Sequence, residues 1–232
     1  MKKHGKKYIK ARNAIVSTDT FSMAHAIEKV KELAFAKFDE SVDVHVNLNI
    51  DPTKGELSVR GSMILPNKLG KNVRILVFAK GPYVQQALDA GADYAGGAEL
   101  IEKIQSGWLD FDYAVSTPDM MGSVGVLAKL LGPRGLLPNK KNGTVTFDVG
   151  AVVSDLKKGR TFFKNDKSGL VHTVVGKVSF GSSALEQNIS SFIHALQAAR
   201  PAKAKGRFIK KVTLASTMGV GVAVNVDELM KL

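Results

Sequence analysis

The 232-residue chain contains no cysteine, which excludes a disulfide framework, a thiolate zinc site and a cysteine nucleophile. It lacks any apolar run near the ~18–20 residues that a membrane helix needs. No apolar stretch precedes the polar Ser17-Thr18-Asp19-Thr20, so no secretory signal is expected. These absences predict a soluble, cytoplasmic protein with no membrane partner. Catalytic signatures are missing too: there is no Gly-x4-Gly-Lys-Ser/Thr loop, no His-Glu-x-x-His and no Gly-x-Ser-x-Gly. His4, His25, His45, His172 and His194 show no ligand spacing, so no metal is expected. Asp110 and Asp112 flank Phe111 and can be read as paired carboxylates or as solvated residues leading into a strand. No nucleophile–base pair stands out, and neither an enzyme nor a cofactor is predicted.

Acidic residues are absent from two stretches. Residues 1–18 carry Lys2, Lys3, Lys6, Lys7, Lys10 and Arg12, and residues 187–226 carry Arg200, Lys203, Lys205, Arg207, Lys210 and Lys211. Those twelve cations account for the whole net charge of +12, because the remaining residues balance. Acid-free basic blocks near both ends attract polyanions, with an affinity that falls in salt. The alternative, basic tails that merely aid solubility, explains one block more easily than two. Nucleic acid is the expected partner.

Hydrophobic periodicity organises the rest. Met23, Ala26, Ile27, Val30, Leu33, Ala34 and Phe38 recur at helical spacing and predict a helix over 22–38. Val42, Val44, Val46, Leu48 and Ile50 then alternate with Asp43, His45, Asn47 and Asn49, a half-buried strand with one polar face. A second strand is expected over 57–65. After Pro66 the texture changes. Val73 to Ala79 is nearly all apolar, as in a strand covered on both faces. Helices over 83–90 and 98–105, a strand over 113–116, a helix over 118–131, a strand over 144–147 and a helix over 149–158 follow. From Thr161, strands over 161–164, 170–175 and 177–180 precede a helix over 183–199, with strands over 211–215 and 220–226 at the end.

The pattern predicts an α/β protein of two domains. Residues 1–66 plus 160–232 form a discontinuous, sandwich-like α+β domain, and residues 67–159 form an inserted Rossmann-like α/β domain. Two chain crossings define a hinge.

Several polar sites suit a binding surface. Lys37-Phe38 pairs a charge with an aromatic plane that can engage phosphate and stack on a base, although Phe38 also suits a core. Asn165-Asp166-Lys167-Ser168-Gly169 reads as a hairpin turn able to present side chains. Thr217-Met218-Gly219 is either an ordinary turn or a place where glycine lets another backbone approach. The loop 132–143 combines Arg134, Lys140 and Lys141 with three glycines and two prolines, and its Leu136 and Leu137 suggest that it packs on its own domain.

Five stretches carry a family resemblance: Lys37-Phe38-Asp39-Glu40-Ser41-Val42-Asp43-Val44; Val59-Arg60-Gly61 with Leu65-Pro66-Asn67; Thr117-Pro118-Asp119-Met120-Met121-Gly122; Leu131 to Asn139 with Gly143-Thr144-Val145-Thr146; and Ser216-Thr217-Met218-Gly219. In this order and spacing, they make the chain resemble the bacterial large-ribosomal-subunit protein L-one family over essentially its whole length. The resemblance implies a cytoplasmic, ribosome-associated protein, a monomer when free, whose discontinuous domain grips large-subunit rRNA. It implies a mobile stalk that helps release deacylated tRNA from the exit site, and repression of the protein's own operon mRNA. It assigns the RNA surface to Lys37, Phe38, Ser41, Asp166, Lys167, Ser168, His172, Thr217, Met218 and Gly219. Arg134, Lys140 and Lys141 are its looser, secondary basic contacts. The chain departs from the family pattern at Lys140, Lys164, Val220 and Ala223; Lys164 keeps the charge of a common arginine without its planar fork. The competing reading is an enzyme acting on a nucleotide or phosphate substrate through the central α/β segment.

Overall fold

The computed structural model describes residues 5–15, 20–52, 57–70, 72–204 and 206–229. Lys2, Lys3, His4, Ser17, Thr18, Asp19 and Lys205 lie outside them. The chain is a mixed α/β protein that divides into two compact units, Met1–Leu69 with Phe162–Leu232, and Gly70–Thr161.

The discontinuous unit begins with helix α1 (Lys6–Asn13) and helix α2 (Met23–Glu32). Strands β1 (Ser41–Leu48) and β2 (Arg60–Ile64) follow. On the chain's return come the strand beginning at Arg160 (β6, Arg160–Lys164), β7 (Leu170–Lys177), β8 (Ile209–Ser216) and β9 (Val222–Val224). Helix α8 (Ser182–Ala198) lies between β7 and β8, and the short helix α9 (Val226–Leu229) closes the described chain. Four strands form an antiparallel sheet in the order β7-β1-β8-β9, and β2 pairs with β6 in a second, two-stranded sheet.

The alternation in β1 decides which face is covered. Val42, Val44, Val46 and Leu48 are buried with Ile27 and Val30 of α2, Ile189, Phe192 and Leu196 of α8, and Val212 and Leu214 of β8. The odd-numbered residues of β1 turn the other way and stay partly exposed. Phe163 and Phe192 meet edge to face at 5.8 Å, and truncating either would cost about 3–5 kcal/mol. Gly61 lets β2 lie across the Phe163 ring, because a Cβ there would come within 2.5 Å of it.

The inserted unit holds β3 (Ile75–Phe78), α3 (Pro82–Asp89), β4 (Tyr94–Gly96), α4 (Ala98–Gln105) and β5 (Tyr113–Ser116). The short helices α5 (Met121–Val124) and α6 (Ala128–Leu131) and the longer α7 (Val149–Lys157) complete it. Its parallel sheet has the order β4-β3-β5. The central β3 is wholly buried, as its unbroken apolar sequence requires.

Five expected elements are altered. The helix expected over 22–38 stops at Glu32, because the Phe35 and Ala36 amides donate to the Glu40 side chain and not to helical carbonyls. The helix expected over 118–131 alternates short 3-10 and α segments. The strand expected over 144–147 reduces to one bridge, Ser116 to Val145. Strand β7 runs unbroken through Gly176 to Lys177, and the Phe180 amide then turns back to the Lys177 carbonyl. The last strand keeps only Val222–Val224 before α9 begins. Asp110 and Asp112 are not a free carboxylate pair: Asp110 binds the Arg74 guanidinium, and Asp112 accepts from the Arg74 amide at 3.1 Å.

Candidate nucleic-acid interface

Antiparallel pairing brings the start of β1 beside the end of β8. The Thr217 amide donates to the Ser41 carbonyl at 3.1 Å, and the Ser41 amide donates to Thr217 Oγ1 at 2.9 Å. The Thr217 proton is left with a long contact, 3.3 Å, to the Ser41 carbonyl. Lys37 and Phe38 precede this corner and Met218 and Gly219 follow it, so Lys37, Phe38, Ser41, Thr217, Met218 and Gly219 form one cluster. Phe38 is 57% exposed and Met218 is 52% exposed, so Phe38 is a surface ring and not a core residue. Beside it lies a concavity of about 390 Å³ lined by Lys31, Lys37, Phe38, Asp39 and Ser179 among others.

Glu40 builds this corner, and the sequence reading left it out. Its side chain is 1% exposed. Oε1 accepts from the amides of Phe35 (3.1 Å) and Ala36 (2.7 Å), and Oε2 accepts from the amide of Met218 (3.0 Å). Burial pushes its carboxyl pKa up, but the amides of Met218, Ala36 and Phe35 outweigh burial and hold it below the ordinary value. The Ser216 hydroxyl sits close enough to add to this effect, although its geometry falls short of a hydrogen bond. One carboxylate thus fastens the segment leading to Phe38 onto the segment carrying Met218. Gly219 packs closely on Ser216: a Cβ at 219 would lie 2.3 Å from Ser216 Oγ and would force that hydroxyl to move.

A second cluster sits at the turn between β6 and β7. Asp166, Lys167 and Ser168 are exposed. Asp166 Oδ1 accepts from the amides of Ser168 and Leu170, both at 2.8 Å, an Asx turn that fixes the loop. The Leu170 amide above all holds the Asp166 carboxyl below its ordinary pKa. Oδ2 lies 3.9 Å from His172 Nε2, and His172 Nδ1 meets His45 Nδ1 at 2.7 Å. Burial, then the neighbouring His172, pushes the His45 pKa down, while burial pushes that of Asp43 up.

The ten residues assigned to the RNA surface therefore fall in two groups. Ser41 pairs with Lys177 and Asn47 with Leu170, so the groups lie near opposite ends of the β1–β7 ladder, roughly 20 Å apart at ~3.4 Å per residue. His172 belongs to the second group, 3.9 Å from Asp166, and reaches His45 on β1. Arg134, Lys140 and Lys141 belong to the other unit and are exposed. They sit on a loop fixed by Asn139, whose side chain accepts from the Lys141 amide at 2.9 Å and whose amide donates to Thr144 Oγ1 at 2.8 Å. Among the described residues, no group of acids and histidines is arranged to hold a metal ion, and no helix is long and apolar enough to cross a membrane.

Comparison with known proteins bears on what such a surface binds. Residues 30–220 match the model of the Ribosomal protein L1p/L10e family. The chain is also 51% identical, over 225 residues, to the large ribosomal subunit protein uL1 of Syntrophobacter fumaroxidans (strain DSM 10017 / MPOB). That alignment covers 97% of this chain and 96% of the relative.

Proposed function

The chain belongs to the Ribosomal protein L1p/L10e family, and from that membership we propose that it binds large-subunit ribosomal RNA through its discontinuous unit. The observation that carries the proposal is the corner where Glu40 holds Phe38, Ser41 and Met218 beside Thr217. It offers an exposed ring, an exposed thioether, a hydroxyl with a weakly engaged proton and a glycine that permits close approach. Lys37 and Lys167 supply attraction to phosphate. Asp166 cannot usefully meet phosphate; it accepts from a ribose hydroxyl or orients a neighbouring base. In this reading the two basic blocks raise the encounter rate and the uncharged corner supplies the fit.

The finer roles follow from the same reading. Residues 1–66 with 160–232 act as the RNA-gripping domain and 67–159 as the mobile one. The protein forms part of a stalk that assists release of deacylated tRNA at the exit site, with Arg134, Lys140 and Lys141 available to that tRNA or to the stalk RNA. An operon mRNA leader that mimics the ribosomal site would occupy the same surface and repress translation. The free protein is a monomer, works in the cytoplasm on the ribosome, and catalyses no reaction.

Titration with a short large-subunit rRNA stalk fragment tests the proposal. Nanomolar binding that survives moderate salt is expected, and Thr217→Val should weaken it by about 1–3 kcal/mol, the cost of one lost polar contact. An unchanged affinity for Thr217→Val would refute the site. Affinity for ATP or NAD without affinity for the fragment would replace the proposal with the enzyme reading.

A further inference from the structure

The inserted unit has chemistry that RNA binding by the discontinuous unit does not use. Its parallel sheet runs β4-β3-β5, with the first strand in the chain at the centre. On one face Leu100 and Ile104 of α4, with Met120 and Val124 after β5, pack on Leu76, Phe78 and Ala114. On the other, α3 and α7 pack on each other and on β3. The connections leaving β3 and β5 therefore turn to opposite faces, and the chain parts between them at the carboxyl edge of the sheet. In open parallel α/β sheets, ligands bind at that switch point.

The turn after β3 is built to receive an anion. Gly81 has φ 59° and ψ −133°, a backbone region confined essentially to glycine. A Cβ there would meet no atom within 4 Å, so the turn and not packing selects glycine, and bare backbone faces open space. No side chain caps α3. Pro82 has no N–H, and the Tyr83 amide, in the first helical turn, has no intrahelical carbonyl to reach. The positive end of the helix is left unanswered. Lys80, just before the turn, is exposed and makes no ion pair among the described residues.

Thr117 points the same way independently. Ala114 faces α4, so strand alternation turns Val115 and Thr117 toward α3 and α7. The Thr117 amide donates at 3.0 Å to the carbonyl of Phe78, three residues before Gly81. Its carbonyl accepts from the Met120 amide and from Ser116 Oγ. The residue is 1% exposed, yet among the described residues its hydroxyl has no partner. Burying a hydroxyl in that state costs free energy. Unlike the unpartnered hydroxyls of Thr173 and Ser216, it is not sealed from solvent. Two rings stand at the same edge. Residue 145 bridges to Ser116 beyond β5, and Phe147, 48% exposed, meets Tyr83 with ring centroids 5.9 Å apart. Such rings can take the face of a base. Of the acids nearby, Asp148 caps its own helix through the Ala151 amide at 3.4 Å, and exposed Asp119 opposes an anion.

We propose that the switch point between β3 and β5 binds the phosphate monoester of a nucleotide. The Gly81 and Tyr83 amides and the Thr117 hydroxyl donate to the phosphate, Lys80 balances its charge, and Tyr83 and Phe147 flank the base. A free mononucleotide and the 5′-phosphorylated end of an RNA offer the same group. The site lies wholly within the inserted unit and does not depend on the RNA surface of the discontinuous one.

The test is titration of the nitrogen-15-labelled full-length chain with AMP, inorganic phosphate and adenosine, following each amide by NMR. AMP and phosphate should move the Gly81, Tyr83 and Thr117 resonances, and adenosine should need a far higher concentration to do so. Thr117→Val keeps the shape without the hydroxyl and should weaken AMP binding about fivefold. Its melting temperature and its affinity for the rRNA stalk fragment should stay at the wild-type values. Lys80→Ala should also weaken AMP binding, and Asp119→Asn should strengthen it. A short RNA with a 5′-phosphate, compared with its 5′-hydroxyl counterpart, separates the sources. A phosphate-dependent affinity well above that for AMP assigns an RNA end, and an affinity equal to that for AMP assigns the free mononucleotide. If AMP moves only amides of the basic blocks, or binds Thr117→Val as tightly as wild type, the site falls. Should Thr117→Val prove unstable, Lys80→Ala and Asp119→Asn decide the matter, since both side chains are exposed. No response at these amides to millimolar AMP or to the phosphorylated RNA overturns the proposal and leaves the ribosomal reading standing.

Discussion

Glu40→Gln is the most informative single perturbation, because it changes charge and donor pattern at almost constant shape. In the wild type, one buried carboxylate receives three amide hydrogen bonds, at 3.1, 2.7 and 3.0 Å. Hydrogen bonds to charged groups contribute about 1.5–3 kcal/mol each, and neutral ones about half that. Glutamine keeps an oxygen for Phe35 and Ala36 at neutral strength but turns its own N–H groups toward the Met218 amide. One bond is lost, two are weakened, and relief of the buried charge offsets part of the loss. The expected net cost is about 2–4 kcal/mol. Amide exchange in β1 and β8 should then quicken by roughly 30- to 700-fold, at about 1.4 kcal/mol per decade. Trp108, the chain's one tryptophan, lies in the inserted unit, so its fluorescence transition should stay put and serve as the control. The pH dependence carries a sign. Because the folded pKa of Glu40 lies below its ordinary value of 4.5, its stabilisation is complete above that value and is lost as pH falls through the depressed one. The variant should lack this loss. Exchange rates within about twofold of wild type would show that the carboxylate does not hold the corner together.

Three further outcomes are expected. Gly219→Ala should destabilise the discontinuous unit by about 1–3 kcal/mol through the clash with Ser216 Oγ, and Ser216→Ala should restore most of it, since the remaining Cβ contact is 3.4 Å; a double-mutant cycle with no coupling would refute the clash. Asn188, fully buried, donates to the carbonyls of Asn67 (2.9 Å) and Val175 (2.7 Å) and accepts from the Asn67 amide at 2.9 Å. Asn188→Ala strands those groups and should cost about 3 kcal/mol in urea unfolding followed by exchange; a loss below about 0.5 kcal/mol would mean that water replaces the amide. His45 has a folded pKa below its ordinary 6.5, so the unfolded chain takes up its proton first, and stability should fall as pH drops from that value through the depressed one. His45→Phe should flatten that window, and an unchanged slope would count against the paired neutral imidazoles.

The residues divide sharply by what a linear sequence can encode. The alternation from Val42 to Leu48 was readable because period two has one physical source, a strand with one covered face, and the burial follows it residue by residue. The same alternation carried a further signal. Glu40 stands in phase with Val42, Val44 and Val46, so an acid occupies a position that the pattern assigns to the interior. Such an acid needs donors, and the three amides are those donors. The end of the preceding helix was misplaced for the same reason: the periodicity of Leu33, Ala34 and Phe38 continues, but Glu40 takes the amides of Phe35 and Ala36. The helix expected over 118–131 failed differently, since Gly122 and Gly125 weaken a helix that periodicity alone describes as unbroken. The pairing of His45 with His172 lay beyond reach. They stand 127 residues apart, and the resemblance, which assigned only His172 to the RNA surface, does not join them. Only the register of β1 against β7 places them side by side, and a one-residue slip in that register would send His172 to the core face and Val171 to the surface. The buried even-numbered residues of β1 therefore do more than fill the core. By fixing the register they fix which imidazole meets which.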